Sequence, residues 1–93
     1  MSFQIRIKDA ENNITTINVS KHMLISTVKN LYKEKTGTNF NNEYMLFFKT
    51  KMIDDNQTVE SCKIKPNSTL SLLNVEANSI IAALYIYRYD KKI

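Results

Sequence analysis

The chain has 93 residues, 43% of them hydrophobic, with a net charge of +4, one cysteine and one glycine. That length makes one domain with room for an appendage, and such a domain buries about 60% of its unfolded surface, enough to fold alone. The lone Cys62 excludes an internal disulfide framework and a multi-cysteine zinc site, and the longest apolar run, Ile80 to Tyr87, is far below the roughly 20 residues of a membrane-spanning helix.

Other bounds are looser. The basic excess is almost all lysine, since only Arg6 and Arg88 are arginine, and charge alone names no partner. The N-terminus opens on strand-like alternation and lacks a signal-peptide core. A reducing compartment, cytoplasmic and/or nuclear, suits the cysteine usage.

Phe3, Ile5 and Ile7 alternate with Gln4, Arg6 and Lys8, the period of a strand with one buried face. DAENN (9–13) is a turn, and Ile14, Ile17 and Val19 continue as a second strand, so residues 3–19 form a hairpin. The period then changes. Ile25, Val28, Leu31 and Tyr32 share one helical face, and Gly37 suits the left-handed position after the helix end. After an Asn-rich loop, YMLFFKTKMI (44–53) reads as a strand with a second short one behind it. DDNQ (54–57) is a turn, TVESCKI holds a short turn of helix, and STLSLLNV (68–75) is a final strand. One helix must bury its apolar face on one sheet, which predicts a two-layer α+β domain.

This ordered set resembles ubiquitin and its relatives. The resemblance covers about residues 3–75 and rests on FQIRIK, the hairpin, ISTVKNLYKEKTG with its glycine stop, LFFKTKMIDDNQTVESCKI and STLSLL. It implies a ubiquitin-like β-grasp fold: a mixed sheet of four to five strands packed on one helix, with the last strand central and Val59, Ile64, Leu70 and Leu72 in the core. Residues 1–75 would form the domain and 76–93 a C-terminal extension. The departures are informative. A conjugatable relative ends in a flexible arm and Gly-Gly, which threads clefts that tolerate no side chain. Here the corresponding stretch is NVEANS (74–79), and no glycine follows it. The expectation is a chain that is not conjugated.

The resemblance also implies a binding patch on the open sheet face. Its centre maps to Phe47, with Ala10, Ser71 and Leu73 around it and Lys51 at its flank. Alternation with Leu46 and Phe48 prevents all three side chains from sharing one buried face, so Phe47 is either an exposed anchor for a partner or is covered by the chain's own tail. In that tail, Tyr85, Tyr87 and Tyr89 alternate with Leu84, Ile86 and Arg88, which favours a strand, while Ser79 before Ile80 and Ile81 equally suits a capped helix. Burying about five large side chains gains roughly 8–15 kcal/mol, whereas ordering roughly 14 residues costs about 14–28 kcal/mol. The tail therefore needs a surface: its own domain, a sheet edge, a second copy through residues 76–93, or another protein.

Catalysis is not indicated. His22 stands without a second His or Cys at ligand spacing, Cys62 has no general base paired with it and reads as a packing residue, and Asp54-Asp55 lie in a turn. The expectation is no enzyme activity, no cofactor, no metal and no membrane span. The lysines are scattered among acids, so no dedicated nucleic-acid role follows. Function is expected to be non-covalent binding of other proteins, as an adaptor or complex subunit in a ubiquitin-related pathway. Ubiquitin-ligase subunits and a splicing-associated ubiquitin-like modifier are precedents, the latter because TGTNFN (36–41) is similar to a segment of it. Two alternatives are a ubiquitin mimic from a parasite or virus and a structural homo-oligomer joined through the tail.

Overall fold

In the computed structural model the described residues are 1–38 and 44–74. Their elements run β1 (Ser2–Lys8), β2 (Ile14–Ser20), α1 (Ile25–Thr36), β3 (Tyr44–Phe48), β4 (Lys51–Ile53) and β5 (Thr69–Asn74). The strands form one mixed sheet in the order β2-β1-β5-β3-β4. This is the β-grasp: β5, last of these strands along the chain, is inserted between the two hairpins, parallel to β1 and antiparallel to β3.

Alternation along each strand sends one set of side chains toward α1. Ile5, Ile7, Ile17, Val19, Leu46, Ile53, Leu70 and Leu72 are buried there, together with Ile25, Val28 and Tyr32 of the helix and Val59 and Ile64 of the β4–β5 connection. Leu31, on the same helical face by spacing, is only partly buried against this cluster.

Helix α1 starts at Leu24 without a side-chain cap. Its first donors are satisfied from a distant loop instead, an alternative to side-chain capping: the Ile25 N–H donates to the Gln57 carbonyl at 2.9 Å and the Ser26 N–H to the Asp55 carbonyl at 3.0 Å. The Lys29 ammonium pairs with the Asp55 carboxylate beside them. At the other end Gly37 is left-handed, φ 73°, and its N–H closes on the Lys33 carbonyl at 2.8 Å, the expected role of the sole glycine.

The helical turn expected within 58–64 is a single hydrogen-bonded turn and no longer. Thr58 and Ser61 exchange side-chain bonds of 2.9 and 3.0 Å with each other's backbone N–H, a capping-box arrangement. The Cys62 N–H reaches the Thr58 carbonyl at 3.1 Å. Lys63 then turns left-handed, φ 61°, and the helix cannot propagate.

Two substitutions measure this reading by urea unfolding. Leu70→Ala, at the centre of the core, is expected to cost about 2–5 kcal/mol. Gly37→Ala is expected to cost only about 1–2 kcal/mol, the penalty of a left-handed residue bearing a Cβ, because nothing lies within 4 Å of the added atom.

Candidate functional site

The face of the sheet turned away from α1 carries the side chains that the core leaves over. Register places Lys8 opposite Ser71, Ser71 opposite Phe47, and Phe47 opposite Met52. These four residues form a row across β1, β5, β3 and β4, and Met45 and Leu73 pair in the row beside it.

Serine is the small member of that row. Between Lys8 and Phe47 it leaves a recess of about 260 Å³, lined also by Lys49, Leu73, Asp9, Ala10 and Asn12. The β1–β2 turn supplies its wall and is held in one shape by Asp9. The Asp9 carboxylate accepts the Glu11 N–H at 3.0 Å and the Asn13 N–H at 2.9 Å, an Asx-type arrangement. Asn12 takes the left-handed position, φ 68°, and its N–H donates to the Asp9 carbonyl at 3.0 Å.

Of the residues singled out from the sequence, Ala10, Phe47, Ser71 and Leu73 meet at this one recess. Lys51 does not. It pairs with Phe48 in β4 and lines a separate recess of about 360 Å³ with Phe48, Ile53, Cys62, Lys49 and Lys63. The lysine beside Phe47 is Lys49, a residue sequence reasoning passed over. It sits in the two-residue β3–β4 turn with φ 60°, so strand alternation does not assign it to a face. Its Nζ lies 5.5 Å from the centroid of the Phe48 ring, within cation–π range. Tyr85, Tyr87 and Tyr89 lie outside the described residues.

Phe47 itself is 5% exposed. It does not belong to the core cluster on the helix side, so its burial is a separate property of the outer face.

The chemical candidates have quiet surroundings. Cys62 is partly buried against the core. Burial pushes its thiol above the ordinary cysteine range; Asp54 pushes the same way, while a Ser61 hydrogen bond and the Lys51 charge oppose them. That favours thiol over thiolate, the opposite of an activated nucleophile. His22 is exposed in the β2–α1 turn. Among the described residues no three of His, Cys, Asp and Glu are grouped to hold a metal ion, and no helix is long and apolar enough to cross a membrane.

A mixed sheet with β5 at its centre, one helix across one face and a recess of mixed polar and apolar lining on the other has the architecture of a ubiquitin-like domain. The chain belongs to the family described as ubiquitin-2 like Rad60 SUMO-like, whose model matches residues 3–81. Members of such ubiquitin-like families are generally non-enzymatic and typically bind proteins. No curated protein matches the chain in sequence.

The thiol gives a direct check. Alkylation of Cys62 by iodoacetamide is expected to rise with pH along a curve displaced upward from that of the urea-unfolded chain, since the thiolate is the nucleophile. The sign for stability follows. A folded-state pKa raised above the unfolded value contributes stability that is present below the unfolded pKa and lost as pH rises through the folded one. Tyr32, whose phenol is also pushed up, chiefly by burial with a further push from Asp9, acts in the same direction. Stability measured by urea titration should therefore fall as pH rises above about 8.5, with Tyr32 adding to the fall above about 10.

Proposed function

We propose that this protein acts as a non-covalent protein-binding module, an adaptor or complex subunit, and that it binds through the outer-face recess. The observation that carries this reading is the meeting of Ala10, Ser71 and Leu73 beside Phe47 in one recess, assembled from the β1–β2 turn, β3 and β5, which are far apart in sequence. The recess is small, partly apolar and rimmed by Lys8 and Lys49, the composition of an anchor pocket with a charged edge. The non-covalent part of the reading is supported by the stretch that begins at the last residue of β5, NVEANS (74–79), which holds no glycine and so carries a side chain at each position where the arm of a conjugatable relative threads a narrow cleft. The same geometry suits either an adaptor of the cell that makes it or a mimic that occupies ubiquitin receptors. Ubiquitin-pathway and splicing assemblies are the proposed partners.

The test is purification of the tagged full chain from its native cell, under native and denaturing conditions. Ala10→Asp with Leu73→Asp, both at the recess and neither in the helix-side core, is expected to reduce recovery of the bound proteins at least about tenfold, the loss of a hot spot worth about 1.4 kcal/mol or more. A denaturing wash should remove every partner. Adducts that survive denaturation would overturn the non-covalent reading, and partners retained by the double variant would overturn the recess.

A further inference from the structure

The recess beside β4 is distinct from the one at Phe47, and only Lys49 lines both. Its floor is apolar: Ile53 is buried in the core, and Phe48 and Cys62 pack partly buried against it. Its rim carries Lys49, Lys51 and Lys63, all three exposed. Among the described residues no acid lines it, and the one ion pair joins Lys29 to Asp55 instead. Asp54 acts on the Cys62 thiol through its charge, opposed there by Lys51, but does not line the recess. Like charges gathered around one opening repel one another, and an opposite charge placed among them is attracted by all.

The backbone points the same way. Among the described residues four that are not glycine have positive φ. Two are Asn12 and Asn67, and asparagine tolerates that conformation. The other two are Lys49 (φ 60°) and Lys63 (φ 61°), and both stand at the rim of this recess. Glycine or asparagine would meet either turn at lower cost, so the turns alone give no reason for lysine at these places, whereas a charged rim does. Backbone strain of this kind collects at ligand-binding sites. The Lys49 Nζ, 5.5 Å from the centroid of the Phe48 ring, keeps its charge over the apolar floor.

We propose that this recess is a second docking site, which takes a segment of another protein bearing one aliphatic side chain between acidic residues. The aliphatic group sits on Phe48, Ile53 and Cys62, and the flanking carboxylates meet Lys49, Lys51 and Lys63. An apolar centre within a polar rim is the common anatomy of protein docking sites, and a net charge of +4 steers acidic partners toward the domain. A polynucleotide fits less well. The recess has no arginine among its described residues, and its one aromatic ring, Phe48, is engaged by Lys49 and packed on the core rather than offered as a platform for base stacking. A second copy of the chain brings the same positive charge to the rim. The proposal does not rest on the binding reading above.

The experiment uses the full chain and an acetylated peptide amide, Glu-Asp-Leu-Asp-Glu, with Ser-Ser-Leu-Ser-Ser and Glu-Asp-Gly-Asp-Glu as controls. Amide NMR shifts at Lys49, Lys51, Cys62 and Lys63 follow binding and give its Kd. Cys62 is the sole thiol and lines the recess, so its alkylation by iodoacetamide reports occupancy. At about ten times its Kd the acidic leucine peptide is expected to slow alkylation about tenfold, by mass action, and neither control peptide is expected to match it. Lys51→Gln with Lys63→Gln, two exposed residues of this recess and not of the one at Phe47, is expected to weaken binding about three- to tenfold, the range for two exposed charge pairs. Unprotected Cys62, equal protection by either control, or a Kd unchanged in the lysine variant would overturn the proposal. Equal protection by a short oligothymidylate would also overturn it, making the rim a general polyanion surface. Alkylation that slows as the protein alone is concentrated would do the same, assigning the recess to a second copy. The lysine variant leaves Ala10, Phe47, Ser71 and Leu73 in place, so failure here leaves the binding reading standing, and the converse holds.

Discussion

The insertion of β5 between β1 and β3 is the contact on which the rest depends. Its register opposite both neighbours puts Leu70 and Leu72 under the helix and Ser71 and Leu73 on the other face. A slip of one residue would exchange the two sets. The core would then receive a serine, and the recess would lose the small residue that opens it. One strand thus decides the composition of both faces. The pairing with β1 also spans most of the domain: the Arg6 N–H donates to the Ser68 carbonyl at 2.9 Å and the Asn67 N–H to the Gln4 carbonyl at 2.8 Å. Chain entropy must be spent on closing that long loop before its contacts repay it.

The loops are built with almost no glycine. Asn12, Lys49, Lys63 and Asn67 all have positive φ. Asparagine tolerates that conformation through local hydrogen bonding, but the two lysines do not share this advantage. The Lys63 N–H is tied to the Glu60 carbonyl at 2.9 Å, and Lys49 closes the short β3–β4 turn. Strain of this sort persists where surrounding structure over-determines the backbone. Here it serves to aim side chains: Lys49 reaches both the Phe47 recess and the Phe48 ring, which a residue inside a strand could not do.

The two faces of the sheet divide the labour. The helix side holds the stability of a small domain, with its buried side chains drawn from every strand. The outer side is free of that duty, and its composition is mixed: a lysine, a serine, an aromatic ring and a methionine in one row. Cys62 and His22 lie outside that row: burial pushes the Cys62 thiol above its ordinary range, and His22 is exposed in a turn that does not line the recess.

Much of the architecture was legible in the sequence because short-range periodicity writes it there. The alternation of Phe3, Ile5 and Ile7, the helical spacing of Ile25, Val28 and Tyr32, and Gly37 after the helix each reflect a local geometric rule. The pairing of Ala10, Ser71 and Leu73 with Phe47 was reachable only through resemblance, since no local rule links a turn near the N-terminus to the last strand. Tertiary structure alone placed Lys51 at a different recess and Lys49 at this one, because a left-handed turn residue escapes the alternation that sequence reasoning relies on. It alone, too, gave the depth at which Phe47 is buried. Periodicity assigns a side chain to a face, but how far that face is closed depends on the packing of segments remote in sequence.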